Sequence, residues 1–228
     1  MIEKPDQKKP DIITQVHLWT GRFLLVVVGL EWIYLLIESQ WLSLFVVSLL
    51  LIVLFIPIIF KKRLQVDIPA EFHLTAVLFT FAALYLGEVQ HFYQRVWWWD
   101  IALHGSAGLL MGIFGFLLIY ILNESIRIDI HLTPGFIAFF AFTFAISIGT
   151  VWEIFEFSAD QIFQLNMQKP MMGDPSGLTD TMWDMIVNAI GALMISLTGW
   201  WYLKSKKNYF VKDWIGKFIE KNPRLFSK

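Results

Sequence analysis

Six long apolar runs dominate this chain of 228 residues and limit what it can fold into. A helix of about 20 apolar residues crosses roughly 30 Å of hydrocarbon, and each run is close to that length. Charged residues make up only 16% of the chain, well below the share of about 25% in an average soluble domain. The pattern predicts an all-α membrane helix bundle with six transmembrane helices. The predicted spans are residues 19–37, 41–60, 70–89, 101–122, 135–157 and 185–203.

The basic residues predict the orientation of the bundle. When six spans alternate across the membrane, all 18 Lys and Arg residues except Arg95 and Lys169 fall on one side. Cytoplasmic segments of membrane proteins carry the excess of Lys and Arg, so we expect both termini to be cytoplasmic. The expected organisation is a cytoplasmic segment at 1–18, a transmembrane domain at 19–203, and a basic amphipathic tail at 204–228 on the inner lipid surface.

Acidic, histidine and amide side chains interrupt the apolar runs at ends that this topology places together on the outer side. An ionised carboxylate inside a membrane helix costs roughly 2.5–3.5 kcal/mol on insertion scales, so several of them need partners or a wet cavity. Within each run their spacing places them on one side of the helix. Carboxylates this close together need protons or a cation, and the alternative is that they are spread more widely over the outer ends of the helices. The residues concerned are Glu88, His91, Asp100, His104, Glu153, Glu156, Asp160, Asp180, Asp184 and Asn188.

A divalent metal is the cation that these side chains favour. The chain has no cysteine, so a metal must bind through oxygen and nitrogen, which suits Zn, Mn, Mg or Fe. Glu88 and His91 have the Glu-x-x-His spacing that helical bundles use in dinuclear sites. We interpret Glu153 and Glu156 as catalytic residues, because a spare carboxylate can act as a base. The predicted metal ligands are Glu88, His91, Asp100, His104, Asp180, Asp184 and Asn188.

Several of these residues also have a simpler interpretation. Asp100, Asp160 and Asp180 lie near predicted helix ends, where an acidic residue caps a helix or contacts lipid headgroups. Asn188 can join two helices through its amide. His104 lies a full turn inside an apolar helix, and that position favours a functional role.

Three segments resemble the signature segments of the bacterial YjdF-type inner-membrane proteins. They are WWWDIALHGSAG at 97–108, WEIFEF at 152–157 and GLTDTMWDMIVNAIGA at 177–192. The resemblance implies a multi-pass protein of the bacterial plasma membrane and no particular chemistry. The order of an Asp-x-x-x-His, a membrane Glu and an Asp-x-x-x-Asn also resembles VanZ-like proteins, which are associated with resistance to glycopeptide antibiotics. The chain differs from that second pattern at Glu156 and lacks an Arg before Asp180.

The sequence leaves three classes of function open. The first is a metal-dependent enzyme that acts on a lipid or lipid-linked envelope substrate, with membrane lipids as its surroundings. The second is a small cation-coupled or proton-coupled transporter, because acidic residues in membranes commonly mark ion paths. The third is a structural or accessory membrane protein without catalysis. We expect no nucleic-acid partner, since the basic residues are dispersed along one membrane face without a recognition motif.

Overall fold

Helices form every named element of the protein. The computed structural model describes residues 12–64, 70–124, 131–205, 216–218 and 220–223. Residues 1–11 of the predicted N-terminal segment at 1–18, and most of the predicted amphipathic tail at 204–228, lie outside the described residues. The elements are α1 (Ile12–Ile37), α2 (Trp41–Leu64), α3 (Ala70–Thr80) with a π-helical continuation (Phe81–Val89), α4 (Phe92–Arg95), α5 (Trp99–Glu124), α6 (Pro134–Phe163) and α7 (Leu178–Ser205).

Five of the described helices are long and apolar enough to cross a membrane, which confirms the prediction of a membrane protein with an all-helical fold. Within α2 the qualifying apolar stretch is shorter, at Ser43–Phe55. The sixth span and the sidedness of the termini therefore stay predictions. The five candidate spans are Trp19–Ile37, Glu71–Val89, Trp99–Tyr120, Pro134–Phe163 and Leu178–Ser205.

The chain forms two compact units, and Met1–Phe92 is the first. In this unit α1, α2 and α3 with its π-helical continuation pack on one another. The core consists of aliphatic side chains from α1 and α2, which exclude water and lipid from the contact. The indole nitrogen of Trp32 donates a hydrogen bond of 2.9 Å to the hydroxyl of Ser48, so the two helices also share a polar contact. The fully buried core residues are Val28, Leu35, Val47 and Leu50.

The second unit, Tyr93–Lys228, is built on α5, α6 and α7, each of which packs against the other two. Small residues at the contacts let the backbones approach closely, as is typical of helices packed in membranes. One example is Gly191, where a β-carbon would collide with the backbone of Gly105. At the start of α6, Thr133 accepts a hydrogen bond from the amide of Phe136, and Pro134 occupies the first helical position.

Two helices of the second unit extend beyond the apolar runs that predicted them. The sixth run begins at residue 185, but α7 begins at Leu178 and so includes Asp180 and Asp184. The fifth run ends at residue 157, whereas α6 continues to Phe163. A hydropathy pattern ends where charged residues begin, although a helix can carry such residues on the face that it buries against its neighbours. The acidic residues therefore lie within the helices rather than beyond their ends.

Candidate metal centre

Three helices of the second unit bring their acidic side chains to one histidine. Asp100 and His104 lie one turn apart on α5, Glu153 lies on α6, and Asp184 lies on α7. The His104 Nε2 atom is 3.5 Å from Asp100 Oδ1 and 3.8 Å from Asp184 Oδ2. On the other side of the ring, Nδ1 is 3.5 Å from Glu153 Oε1. The imidazole thus has a carboxylate facing each of its nitrogens.

The centre of this cluster is shielded from its surroundings. The side chain of His104 is 11% exposed, and those of Glu153 and Asp184 are 6% and 1% exposed. Among the described residues no hydrogen bond of standard geometry reaches either oxygen of Glu153 or of Asp184, although the Thr181 hydroxyl lies close enough to Glu153 to interact with its carboxylate. The contacts to His104 are too long for strong hydrogen bonds. Burying a carboxylate without a hydrogen-bond partner costs free energy, so we expect these oxygens to bind a ligand.

The spacing of the donor atoms suits a bound cation. Asp100, His104 and Asp184 offer one ligand atom each within 4.8 Å of one another, and so do His104, Glu153 and Glu156. Metal bonds of about 2.1 Å place neighbouring ligand atoms roughly 3–3.5 Å apart, so either set would have to contract, by up to about 1 Å between its most distant atoms, to close around an ion. The structure therefore contains buried His, Asp and Glu groups that can hold a metal.

Glu156 differs from Glu153 because one of its oxygens is already engaged. The indole nitrogen of Trp152 donates a hydrogen bond of 2.9 Å to Glu156 Oε1. Trp152 is not among the site residues that the sequence predicts. Its position four residues before Glu156 could have predicted the contact between the two side chains, since residues at that spacing are neighbours on a helix. The bond fixes the Glu156 carboxylate and leaves its second oxygen available.

Asp180 is not a helix cap, in contrast to the simpler interpretation of the sequence. It lies within the first turn of α7, is 2% exposed, and accepts a hydrogen bond of 2.7 Å from the backbone amide of Lys169. Asp160, near the end of α6, accepts hydrogen bonds from the backbone amides of Met167 and Gln168 at 2.8 and 2.9 Å. These two carboxylates fix the connection between α6 and α7, and no sequence spacing predicts such contacts to backbone amides.

Asp174 performs the capping role at α7 that the sequence suggested for Asp180. Its Oδ2 atom accepts from the backbone amide and hydroxyl of Thr179, and its Oδ1 atom accepts from the hydroxyl and amide of Ser176. These hydrogen bonds, first those from Ser176, lower the pKa of Asp174 below its usual range. The folded connection therefore favours ionised Asp174, and its contribution to stability disappears only as the pH falls through that lowered pKa.

Asn188 connects α7 with α6. It is 4% exposed, and its amide nitrogen donates a long hydrogen bond of 3.4 Å to the carbonyl of Ala145. A β-carbon at Gly149 would collide with the Asn188 side chain, which shows how closely the amide packs against α6. This contact matches the helix-joining interpretation, and the assignment of Asn188 as a metal ligand stays a prediction.

Glu88 and His91 belong to the first unit. Glu88 lies in the π-helical segment, a type of helix often found at functional sites. His91 follows that segment with a φ of 60°, a left-handed backbone conformation that is uncommon for residues other than glycine. The assignment of both residues as metal ligands stays a prediction.

The anchoring role of Asp160 leads to a direct test. Replacing Asp160 by alanine leaves two backbone amides without their acceptor, and hydrogen bonds to charged groups contribute about 1.5–3 kcal/mol each when water does not replace them. We expect a lower melting temperature and faster proteolysis between α6 and α7. Ser158→Ala is the control, since that hydroxyl binds only the Ile154 carbonyl of its own helix among the bonds described. Equal melting and equal proteolysis of the two variants would contradict the anchoring role.

The fold and the buried cluster define an all-α integral membrane protein with a histidine-carboxylate centre. Residues 20–205 match the family described as "Predicted membrane protein (DUF2238)", and the chain belongs to that family. It is also similar to an "Uncharacterized protein" of the bacterium Thermotoga maritima, with 30% identity over 138 residues, or 60% of this chain and 66% of that protein. The chain thus spans just under two thirds of that relative's length. No solved structure gives a significant match to the chain.

Proposed function

We propose that this protein is a metal-dependent enzyme of the bacterial plasma membrane that acts on a lipid or lipid-linked envelope substrate. In this proposal six helices cross the membrane, both termini are cytoplasmic, and the histidine-carboxylate centre opens to the outer leaflet. The likeness to YjdF-type proteins supports the bacterial membrane, because the segments that carry it lie inside the family match at 20–205. The likeness to VanZ-like proteins carries no part of the proposal.

One observation supports the proposal of a bound metal most strongly. Buried oxygens of Glu153 and Asp184 face His104 without a hydrogen bond of standard geometry. Carboxylates with a purely structural role elsewhere in this unit bind hydrogen-bond donors, as Asp160 and Asp174 do. A divalent cation on the Nε2 side would supply the partner that Asp184 lacks, and it would reduce the repulsion between the carboxylates. The cluster is therefore better suited to an ion than to a static contact between helices.

Asp100, the Nε2 atom of His104, and Asp184 are the proposed ligands of the ion. If Nε2 bound the metal, Nδ1 would keep its proton and donate it towards Glu153, and the Glu153 carboxylate would orient the ring as carboxylates do for metal-bound histidines. Glu153 and Glu156 are the proposed proton acceptors beside this ion. Mixed oxygen and nitrogen donors suit Zn, Mn or Fe better than Mg, which prefers oxygen alone. When bound, such an ion supplies Lewis-acid activation of water or of a substrate oxygen.

Removal of the metal tests the proposal most directly. Protein purified without chelator should contain a divalent metal by mass spectrometry, and treatment with EDTA should lower its melting temperature. An ion present at 100 times its dissociation constant stabilises the folded state by about 2.7 kcal/mol, and adding Mn²⁺ or Zn²⁺ back should restore that increment. Protein that contains no metal and melts identically with and without EDTA would exclude the proposed centre. Hydrolysis of lipids in nanodiscs, measured with and without the metal, then tests for an enzyme.

A transporter is the second candidate, and the buried polar face of α7 favours it. Asp184, Asn188 and Ser196 follow one another along this face, and the Ser196 hydroxyl has no hydrogen-bond partner among the described residues. Between Asn188 and Ser196, however, the backbone of Gly191 lies against Gly105 and leaves no room for an ion. We therefore favour the enzyme. Movement of Mn²⁺ or protons into proteoliposomes would reverse that order.

A further inference from the structure

The imidazole of His104 has unsatisfied carboxylates on both of its nitrogen sides. The proposed ion at Nε2 uses Asp100 and Asp184, which leaves Glu153 and Glu156 on the other side of the ring. We infer that the Nδ1 side of His104 holds a second divalent cation, with Glu153 and Glu156 as its carboxylate ligands. This inference rests on the proposed function, because it assumes that the first ion occupies the Nε2 side.

The state of Glu153 is evidence for a ligand that goes beyond the clustering of acidic residues. Glu153 is 5% exposed, neither of its oxygens accepts a hydrogen bond of standard geometry within the described part of the chain, and its Oε1 atom lies 3.5 Å from His104 Nδ1. Glu156 completes a set with ligand atoms within 4.8 Å of one another. The Trp152 indole occupies only one Glu156 oxygen and orients the carboxylate for the other to bind.

The charges of the cluster also favour two ions over one. A single divalent cation balances the charges of Asp100 and Asp184 and leaves those of Glu153 and Glu156 uncompensated. The nearby ammonium of Lys169 attracts the Glu156 carboxylate only from a distance and does not replace the second ion, because it donates to the Met167 carbonyl at 2.7 Å and lies 4.7 Å from the centre of the Tyr93 ring. In the described part of the chain it forms no ion pair with the cluster.

Binding at both nitrogens has a chemical consequence that can be measured. A neutral imidazole has one nitrogen lone pair and one N–H, so it can bind one metal while the other nitrogen keeps its proton. A metal bond at Nδ1 therefore requires the release of that proton to the buffer. In this arrangement the ring would bridge the two ions. Glu153 and Glu156 would then be metal ligands, whereas beside a single ion they are the proposed proton acceptors.

Metal titration of the full-length protein tests this inference. The protein is stripped with EDTA, transferred into detergent, and titrated with Zn²⁺ by calorimetry in buffers of different ionisation enthalpy, which reports the protons released. We expect two equivalents of Zn²⁺ in the wild type and one in Glu153→Gln. We also expect the wild type to release in total at least one proton more than Glu153→Gln, namely the imidazole proton that the second ion displaces, together with any proton that Glu153 or Glu156 holds in the stripped protein. With Cu²⁺ as the probe, magnetic coupling between the ions should weaken the wild-type electron paramagnetic resonance signal.

Each outcome of the titration decides between specific alternatives. One equivalent in both the wild type and Glu153→Gln would overturn the second ion while leaving the proposed function intact, and no binding at all would overturn both. Two equivalents in Glu153→Gln, or two uncoupled Cu²⁺ ions, would place the second ion elsewhere and overturn the inference. Glu153→Asp, which keeps the charge but shortens the side chain, should weaken only the second equivalent. Glu38→Gln is the control, because Glu38 is an exposed carboxylate of the first unit.

Discussion

Replacing His104 by alanine should abolish metal binding by the purified protein, which is the largest functional effect that the structure predicts. Both candidate ligand sets include His104, so the substitution removes a ligand from each. We expect the affinity for Zn²⁺ or Mn²⁺ to fall at least about 100-fold, which corresponds to about 2.8 kcal/mol. The stabilisation that added metal gives to the wild type should disappear with it. Calorimetric titration and melting curves with and without metal measure both effects.

The melting temperature of the Asp184→Asn variant, compared with that of the wild type with and without metal, distinguishes a metal centre from a structural cluster. Without metal, a neutral amide in place of the Asp184 carboxylate relieves repulsion between buried carboxylates, so the stripped variant should melt at or above the temperature of the stripped wild type. With metal, the variant should melt below the wild type because it has lost a ligand.

His131→Ala is the control for His104→Ala, since His131 is an exposed histidine ahead of α6. Equal metal affinity in His104→Ala and His131→Ala would refute the assigned ligand.

The membrane fold could be predicted from the sequence because it depends on long apolar runs. A run of about 20 apolar residues has few alternatives to a spanning helix, so the positions of α1, α5 and α6 follow from hydropathy alone. The start of α7 at Leu178 could not be predicted in this way. Its first turns carry Asp180 and Asp184, which lie ahead of the apolar run that begins at residue 185. Only the packing of α7 on α5 and α6 shows that these residues face the interior of the second unit.

The candidate site could be predicted in part, because helical spacing places residues on a face. Asp100 and His104 are one turn apart, and Glu153 and Glu156 share one side of α6, so each helix presents its pair together. Spacing within a helix says nothing about which residue of one helix meets which residue of another. It therefore could not show that His104 lies at the centre, or that Asp160 binds backbone amides instead.

Replacing Gly108 by alanine should destabilise the second unit and weaken metal binding together. Gly108 lies one turn after His104 at the contact of α5 with α7, and a β-carbon there would collide with the backbone of Asn188. A backbone cannot turn aside as a flexible side chain can, so the two helices must separate. Overpacking of this kind costs about 1–3 kcal/mol. The same separation moves His104 away from Asp184, now 3.8 Å apart between Nε2 and Oδ2, and should reduce metal affinity.

Gly105→Ala is the matched control for Gly108→Ala, since it adds the same methyl group to the same helix. A β-carbon at Gly105 would have only an ordinary contact of 3.9 Å with Val187. Alanine is also favoured over glycine inside a helix by up to about 1 kcal/mol, so this variant should melt at or above the wild-type temperature. Melting curves and Zn²⁺ titrations of both variants provide the comparison. If Gly108→Ala lost stability but kept full metal affinity, the ligands would not depend on the close contact between α5 and α7, and the proposed ion between Asp100, His104 and Asp184 would be wrong.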